Sequence, residues 1–203
     1  GDGTNQGPGV WCKNLYPTFI RCQVTDNAIT SSGENDGGGV YIDHGTVRFD
    51  QGLIAGNGIW GGSAAAGGGG VFARDADLTL RSCVLNRNSI LNATAAYGGA
   101  VYIHHADLIL GNCTVYDNWV GSGSPARGGG LYIEQDDARV NNCIFWNNHD
   151  EDATGGTETD RIWDNTADLH VDYSCIAGWS GAFGGTGNFG DNPVFVDPDG
   201  PDD

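Results

Sequence analysis

Gly98-Gly99-Ala100-Val101-Tyr102-Ile103, with Cys113-Thr114-Val115-Tyr116-Asp117-Asn118 downstream, is one copy of a pattern that recurs every 30 or 31 residues. Its anchors are Val10, Val40, Val71, Val101 and Leu131. Each follows a small-residue triplet: Gly7-Pro8-Gly9, three glycines ending at Gly39, three ending at Gly70, Gly98-Gly99-Ala100, and three ending at Gly130. The residue after each anchor is aromatic: Trp11, Tyr41, Phe72, Tyr102, Tyr132. Twelve after the anchor stands Cys22, Gly52, Cys83, Cys113 or Cys143, and seventeen after it stands Asn27, Asn57, Asn88, Asn118 or Asn148.

A repeat of this length marks stacked units that cannot bury an apolar face alone. Within each copy apolar and polar residues alternate in three short runs, the period of strands. No helical period is sustained, and 35 glycines would weaken a helix. The pattern predicts an all-β parallel solenoid with three strands per turn and five to six turns. Turns stacked at about 4.8 Å make a rod roughly 25–30 Å long. The reading is one domain over residues 1–203, with turns at about 7–36, 37–67, 68–97, 98–127 and 128–160. An imperfect turn follows at 161–190, then an acidic exit segment at 191–203. The asparagines are expected to sit at a corner in the left-handed conformation and to bond to their copies above and below as a structural ladder.

Tyr16-Pro17-Thr18-Phe19-Ile20-Arg21-Cys22-Gln23-Val24-Thr25-Asp26-Asn27 and the Gly-Gly-Gly-Val-Tyr-Ile segment ending at Ile42 resemble right-handed parallel β-helix repeats of secreted bacterial surface proteins. They are similar to the long repeat proteins of Planctomycetes, and Gly98-Gly99-Ala100 to repeats of chlamydial polymorphic outer membrane proteins. The resemblance covers roughly residues 7–198. It implies a right-handed coil and an extracellular or cell-surface location. Asp191-Asn192-Pro193-Val194-Phe195-Val196-Asp197-Pro198-Asp199-Gly200 resembles the exit of such arrays, which usually leads into further strands and a surface-anchoring region. The absence of methionine likewise points to a fragment or processed part of a longer protein.

Net charge is −17 with nine basic residues, which argues against nucleic acid and against an anionic membrane surface as partners. No apolar run reaches the length of a membrane span. Six cysteines outside any Cys-x-x-Cys spacing argue against zinc. They read as mostly reduced interior thiols, with Cys143–Cys175 or Cys12–Cys22 the bridges if any form.

Three regions are candidates for function. Strand alternation places Trp11, Tyr41, Phe72, Tyr102 and Tyr132 outside, as a stripe for a glycan or a protein partner. The competing reading is a stripe stabilised by its own stacking, or covered by corners carrying Trp60, Tyr97 and Trp119. Beside it runs a polar column through Asp43-His44, Arg74-Asp75, His104-His105 and Glu134 to Asp137. Carboxylates with a basic residue on one face suit a polysaccharide lyase or glycoside hydrolase, here using Asp75, His104 and Asp136; charged corners also simply aid solubility. Asp197, Asp199 and Asp202 around Gly200 offer oxygen ligands for calcium, the one cofactor candidate, or form an acidic linker. No motif identifies a reaction. The expectation is a non-enzymatic stalk, adhesin, surface-layer or filament-forming subunit. Its partners would be copies of itself end to end or other cell-surface proteins, and the alternative is a carbohydrate-active enzyme.

Overall fold

The computed structural model describes residues 5–62, 64–121, 124–135, 137–152, 156–165 and 168–195. The chain winds as a parallel coil in which each turn pairs with the next. One register line runs Val10, Val40, Val71, Val101, Leu131, Ile162, joining residues 30 or 31 apart. Four sheets run along the coil. In the third turn the chain visits them in order as Ala65–Gly67, Val71–Arg81, Val84–Asn86 and Ser89–Leu91. The second sheet is bent, and one turn later its strand is split into Val101–His104 and Leu108–Gly111. Each of the first five turns therefore has five short straight segments, not three strands.

The corners explain the difference. Single residues in the left-handed conformation turn the chain between segments, in four columns: Gly37, Gly68, Gly98, Gly128; His44, Asp75, His105, Gln135; Gln51, Ser82, Asn112, Asn142; and Gly56, Arg87, Asp117, Asn147. One such residue changes the chain's direction and resets the inward–outward alternation. The ladder asparagines are not themselves left-handed; the residue before each one is, and that turn aims the asparagine inward.

Anchors, the residues two beyond them and the later spaced pairs fill the interior. Val71, Ala73, Leu78, Leu80, Cys83 and Leu85 are buried together with their equivalents in neighbouring turns. A smaller cluster of Ile29, Ile59, Ile90 and Val120 with Ala66, Ala96 and Ala126 fills the space between the fourth and first sheets. Phe19 stacks on Phe49 at 4.6 Å, so ring packing continues the column into the first turn.

All six cysteines are free thiols. The twelfth position after Ile162 is Ser174, whose hydroxyl accepts from the Cys143 amide at 3.1 Å. Cys175 stands opposite Ile144, not Cys143, so the two sulfurs do not share a column.

The coil stops after Cys175–Ile176, and the segment expected to finish the sixth turn folds back over its end. Trp179 and Phe183 pack on the core. Tyr173 donates its amide to Thr186, Ile176 to Phe189, and Phe189 back to Ser174. Glu158, fully buried in a short 3-10 turn over Glu158–Asp160, fastens this cap by accepting from the Ser180 amide (2.9 Å), the Ser180 hydroxyl (2.7 Å) and the Ala182 amide (2.9 Å). At the opposite end, the first-turn strands pair on one side only among the described residues, and Trp11, Leu15, Tyr16 and Ile20 are exposed.

Candidate functional site

The asparagine column is a continuous hydrogen-bonded ladder. Each side-chain amide donates to the next Oδ1: Asn27 to Asn57 at 2.9 Å, Asn57 to Asn88 at 3.0 Å, Asn88 to Asn118 at 2.9 Å, Asn118 to Asn148 at 2.9 Å. The same Oδ1 atoms accept the preceding turn's backbone amides. Asn57, Asn88, Asn118 and Asn148 also donate to the carbonyls of Val24, Ile54, Leu85 and Val115. These four side chains are fully buried, so no ligand reaches them.

The rings after the anchors do not form an open stripe. Tyr41 is 1% exposed, Phe72 and Tyr132 are buried, Tyr102 is partly buried, and only Trp11 at 52% faces solvent. They are on the outer side of the second sheet but lie against each other. Tyr41 stacks on Phe72 at 5.4 Å, and Tyr102 meets Phe72 and Tyr132 edge-on at 5.1 and 5.0 Å. The first sheet folds over them where its residues are small, as at Ala65–Gly67. A Cβ on Gly67 would fall 2.2 Å from Tyr102 Cδ1. Tyr97 closes the remaining gap above Tyr102 and Tyr132.

What stays open is a cleft of about 340 Å³ where this column meets the polar corner, lined by Glu34, Asp36, Phe72, Arg74, Tyr97, Tyr102 and His104. Burial pushes the Asp36 carboxyl up to about 7, with Arg74 opposing and Glu34 reinforcing. The Tyr102 hydroxyl donates to Glu134 at 2.6 Å, and its pKa is driven far up by burial and by that carboxylate. Burial lowers the pKa of His104, whose Nε2 lies 3.8 Å from Glu134. Two buried atoms here, Tyr41 Oη and His104 Nδ1, have no hydrogen-bond partner among the described residues.

Next to the cleft, Asp43 gathers three basic groups: Lys13 at 2.8 Å, His44 at 2.7 Å and Arg74 at 3.5 Å. Burial alone would raise its pKa, but these partners outweigh burial and hold it at about 2. Asp43, His44 and Asp75 could converge on a cation, their donor atoms lying within 4.8 Å of one another. Lys13 and Arg74 already supply that charge. Asp136, from the expected catalytic face, and Asp197, Asp199 and Asp202, the expected calcium ligands, lie outside the described residues.

Two tryptophans expected as covers lie elsewhere. Trp60 and Trp119 are on the outward face of the fourth sheet, 44% and 46% exposed. They stand outside the five repeat columns, and the signal for them in sequence is the pairing of each with a nearby glycine, Gly58 and Gly121.

A family model described as a right handed beta helix region matches residues 8–161. Comparison with curated proteins and with solved structures finds no match. The match spans most of the chain and coincides with the ladder and the ring column, and the chain belongs to the right-handed β-helix family.

Proposed function

We propose that this β-helix is a non-enzymatic surface element outside the cell, of the stalk, adhesin or surface-layer kind, with other cell-surface proteins as its neighbours. The observation that carries this reading is how the polar corner spends its charges. Asp43 is saturated by Lys13, His44 and Arg74, and Glu134 is bonded by Tyr102, so these groups hold successive turns together. The ring column is consumed in the same way. A filament-forming subunit is the weaker variant. Head-to-tail growth needs two open edges, and the 177–195 segment occupies one of them.

One observation speaks for a carbohydrate-active enzyme instead: a carboxyl near neutrality, Asp36, in a cleft with Arg74 and His104. The two readings separate on turnover. The purified chain, with and without calcium, is assayed on acidic and neutral polysaccharides for new reducing ends and unsaturated sugars. The surface-element reading expects none above blank. Turnover abolished by Asp36→Asn or His104→Ala would replace it with the enzymatic one.

A further inference from the structure

We propose that the outward face of the fourth sheet binds an uncharged glycan chain across Trp60 and Trp119. The inference gives the non-enzymatic reading a ligand and rests on it, at a place separate from the Asp36 cleft. In this sheet Ile29, Ile59, Ile90 and Val120 point inward and are buried. Alternation turns the register line Ala28, Gly58, Ser89, Trp119, His149 outward. Its first three members are small and leave a low floor.

The Trp60 indole lies along that floor, and the Trp119 indole lies over Gly121 beside Leu91. A Cβ on Gly58 would fall 2.2 Å from Trp60 Nε1, and one on Gly121 would fall 2.7 Å from Trp119 Cε2. Trp60 is pinned by donating Nε1–H to the Ser89 hydroxyl at 3.1 Å. Each ring is held over a glycine with close to half of its surface open to solvent. Ordering them therefore adds little further entropic cost on binding.

Beside Trp119 is a groove of about 520 Å³ lined by Arg87, Ser89, Asp117, Trp119 and His149. Its polar groups are fixed in place across three turns. Arg87 lies 3.9 Å from Asp117, Asn147 donates to Asp117 at 2.9 Å, and the His149 ring is 3.0 Å from Asn147 Oδ1. Flat aromatic faces match the C–H faces of a pyranose, and anchored donors and acceptors match its hydroxyls. Trp60 and Trp119 are two turns apart, about 10 Å at the stacking distance of strands. A ligand touching both is a chain, not a single sugar.

Charge decides which chain. A net charge of −17 repels polyanions, and Arg87 is already matched by Asp117. A protein partner is a poorer fit. A stable interface buries about 800 Å² per side around an apolar centre, and here Trp60 and Trp119 are the only large apolar side chains of the fourth sheet left exposed among the described residues.

The test titrates the whole chain with cellohexaose and xylohexaose, with polygalacturonate as the anionic control, by tryptophan fluorescence and calorimetry. Saturable binding of a neutral hexasaccharide is expected, weakened about tenfold or more by Trp60→Ala and by Trp119→Ala. Trp11→Ala should leave it unchanged, and Trp119→Phe, which keeps a ring over Gly121, should retain most of it. Urea midpoints of all variants report whether the coil is intact. No saturable binding of either neutral hexasaccharide, equal affinity for polygalacturonate, or full affinity in folded Trp119→Ala would overturn the proposal. Absent binding without turnover sinks this inference alone, whereas turnover sinks the surface-element reading beneath it.

Discussion

Asn118 shows how much one buried side chain can hold in a stacked coil. Its amide donates to Asn148, Leu85 and Tyr116, and its oxygen accepts from the amide and the side chain of Asn88. Asn118→Ala strips partners from two neighbouring turns at once. Buried groups left without partners cost about 1–3 kcal/mol each. A loss on the order of 3 kcal/mol is expected, read as a lower urea midpoint; an unchanged midpoint would mean that water replaces the ladder. Asp36 carries the opposite kind of tension. Burial holds its pKa at about 7 against an ordinary 3.8, so the fold favours the protonated form. The stability this group contributes is full below 3.8 and drains away as pH rises through about 7. Asp36→Asn should match wild type near pH 4 and exceed it at pH 8, in urea melts run at both values. The ladder spacing is legible in the sequence because one residue type repeats. Asp36 is not, because its environment comes from Gly67, Arg74 and Tyr102 in later turns.

Between the first and second sheets, the glycine triplets let adjacent turns close to stacking distance. A Cβ on Gly69, the middle of its triplet, would fall 2.5 Å from the Gly99 carbonyl oxygen and 2.8 Å from that of Ser89. Both obstacles are backbone, so the turns must separate. Gly111 has nothing within 4 Å of the same point. Gly69→Ala should lower stability by about 1–3 kcal/mol through overpacking, while Gly111→Ala should stay within about 0.5 kcal/mol of wild type. Thermal melts of the pair check this, and equal losses would remove the close-approach explanation. The corners were less legible than the triplets. His44, Asp75, His105 and Gln135 all take the same left-handed turn, yet share neither charge nor shape. What they share is a backbone angle that stacking in register imposes on whatever residue arrives there.

For the molecule as a whole, the two ends are unlike. Among the described residues the first-turn strands pair on one side only, while the last turn is covered by Trp179, Phe183 and the strand-like contact of Phe189 with Cys175. Glu158 fastens that closure with three hydrogen bonds from a buried carboxylate. Those bonds hold its pKa below the usual carboxylate range even though burial alone would raise it. Glu158→Ala should cost about 2–3 kcal/mol, because bonds to a charged group are the stronger ones. It should also uncover the core edge, read as dye binding and concentration-dependent light scattering. A monomeric variant that binds no dye would show that the cap holds without Glu158.

Repetition is what made the architecture readable from the chain alone. Stacking in register demands the same kind of residue at the same place in every turn, so the coil, its interior columns and its ladder are written as a period. The cleft, the cap and the tryptophan face obey no period. The stripe closes because Tyr97 and the small residues of the first sheet fold onto it, and the indoles lie open because Gly58 and Gly121 leave space beneath them. Those outcomes depend on which residues meet across a corner or between turns, and only the folded coil brings them together.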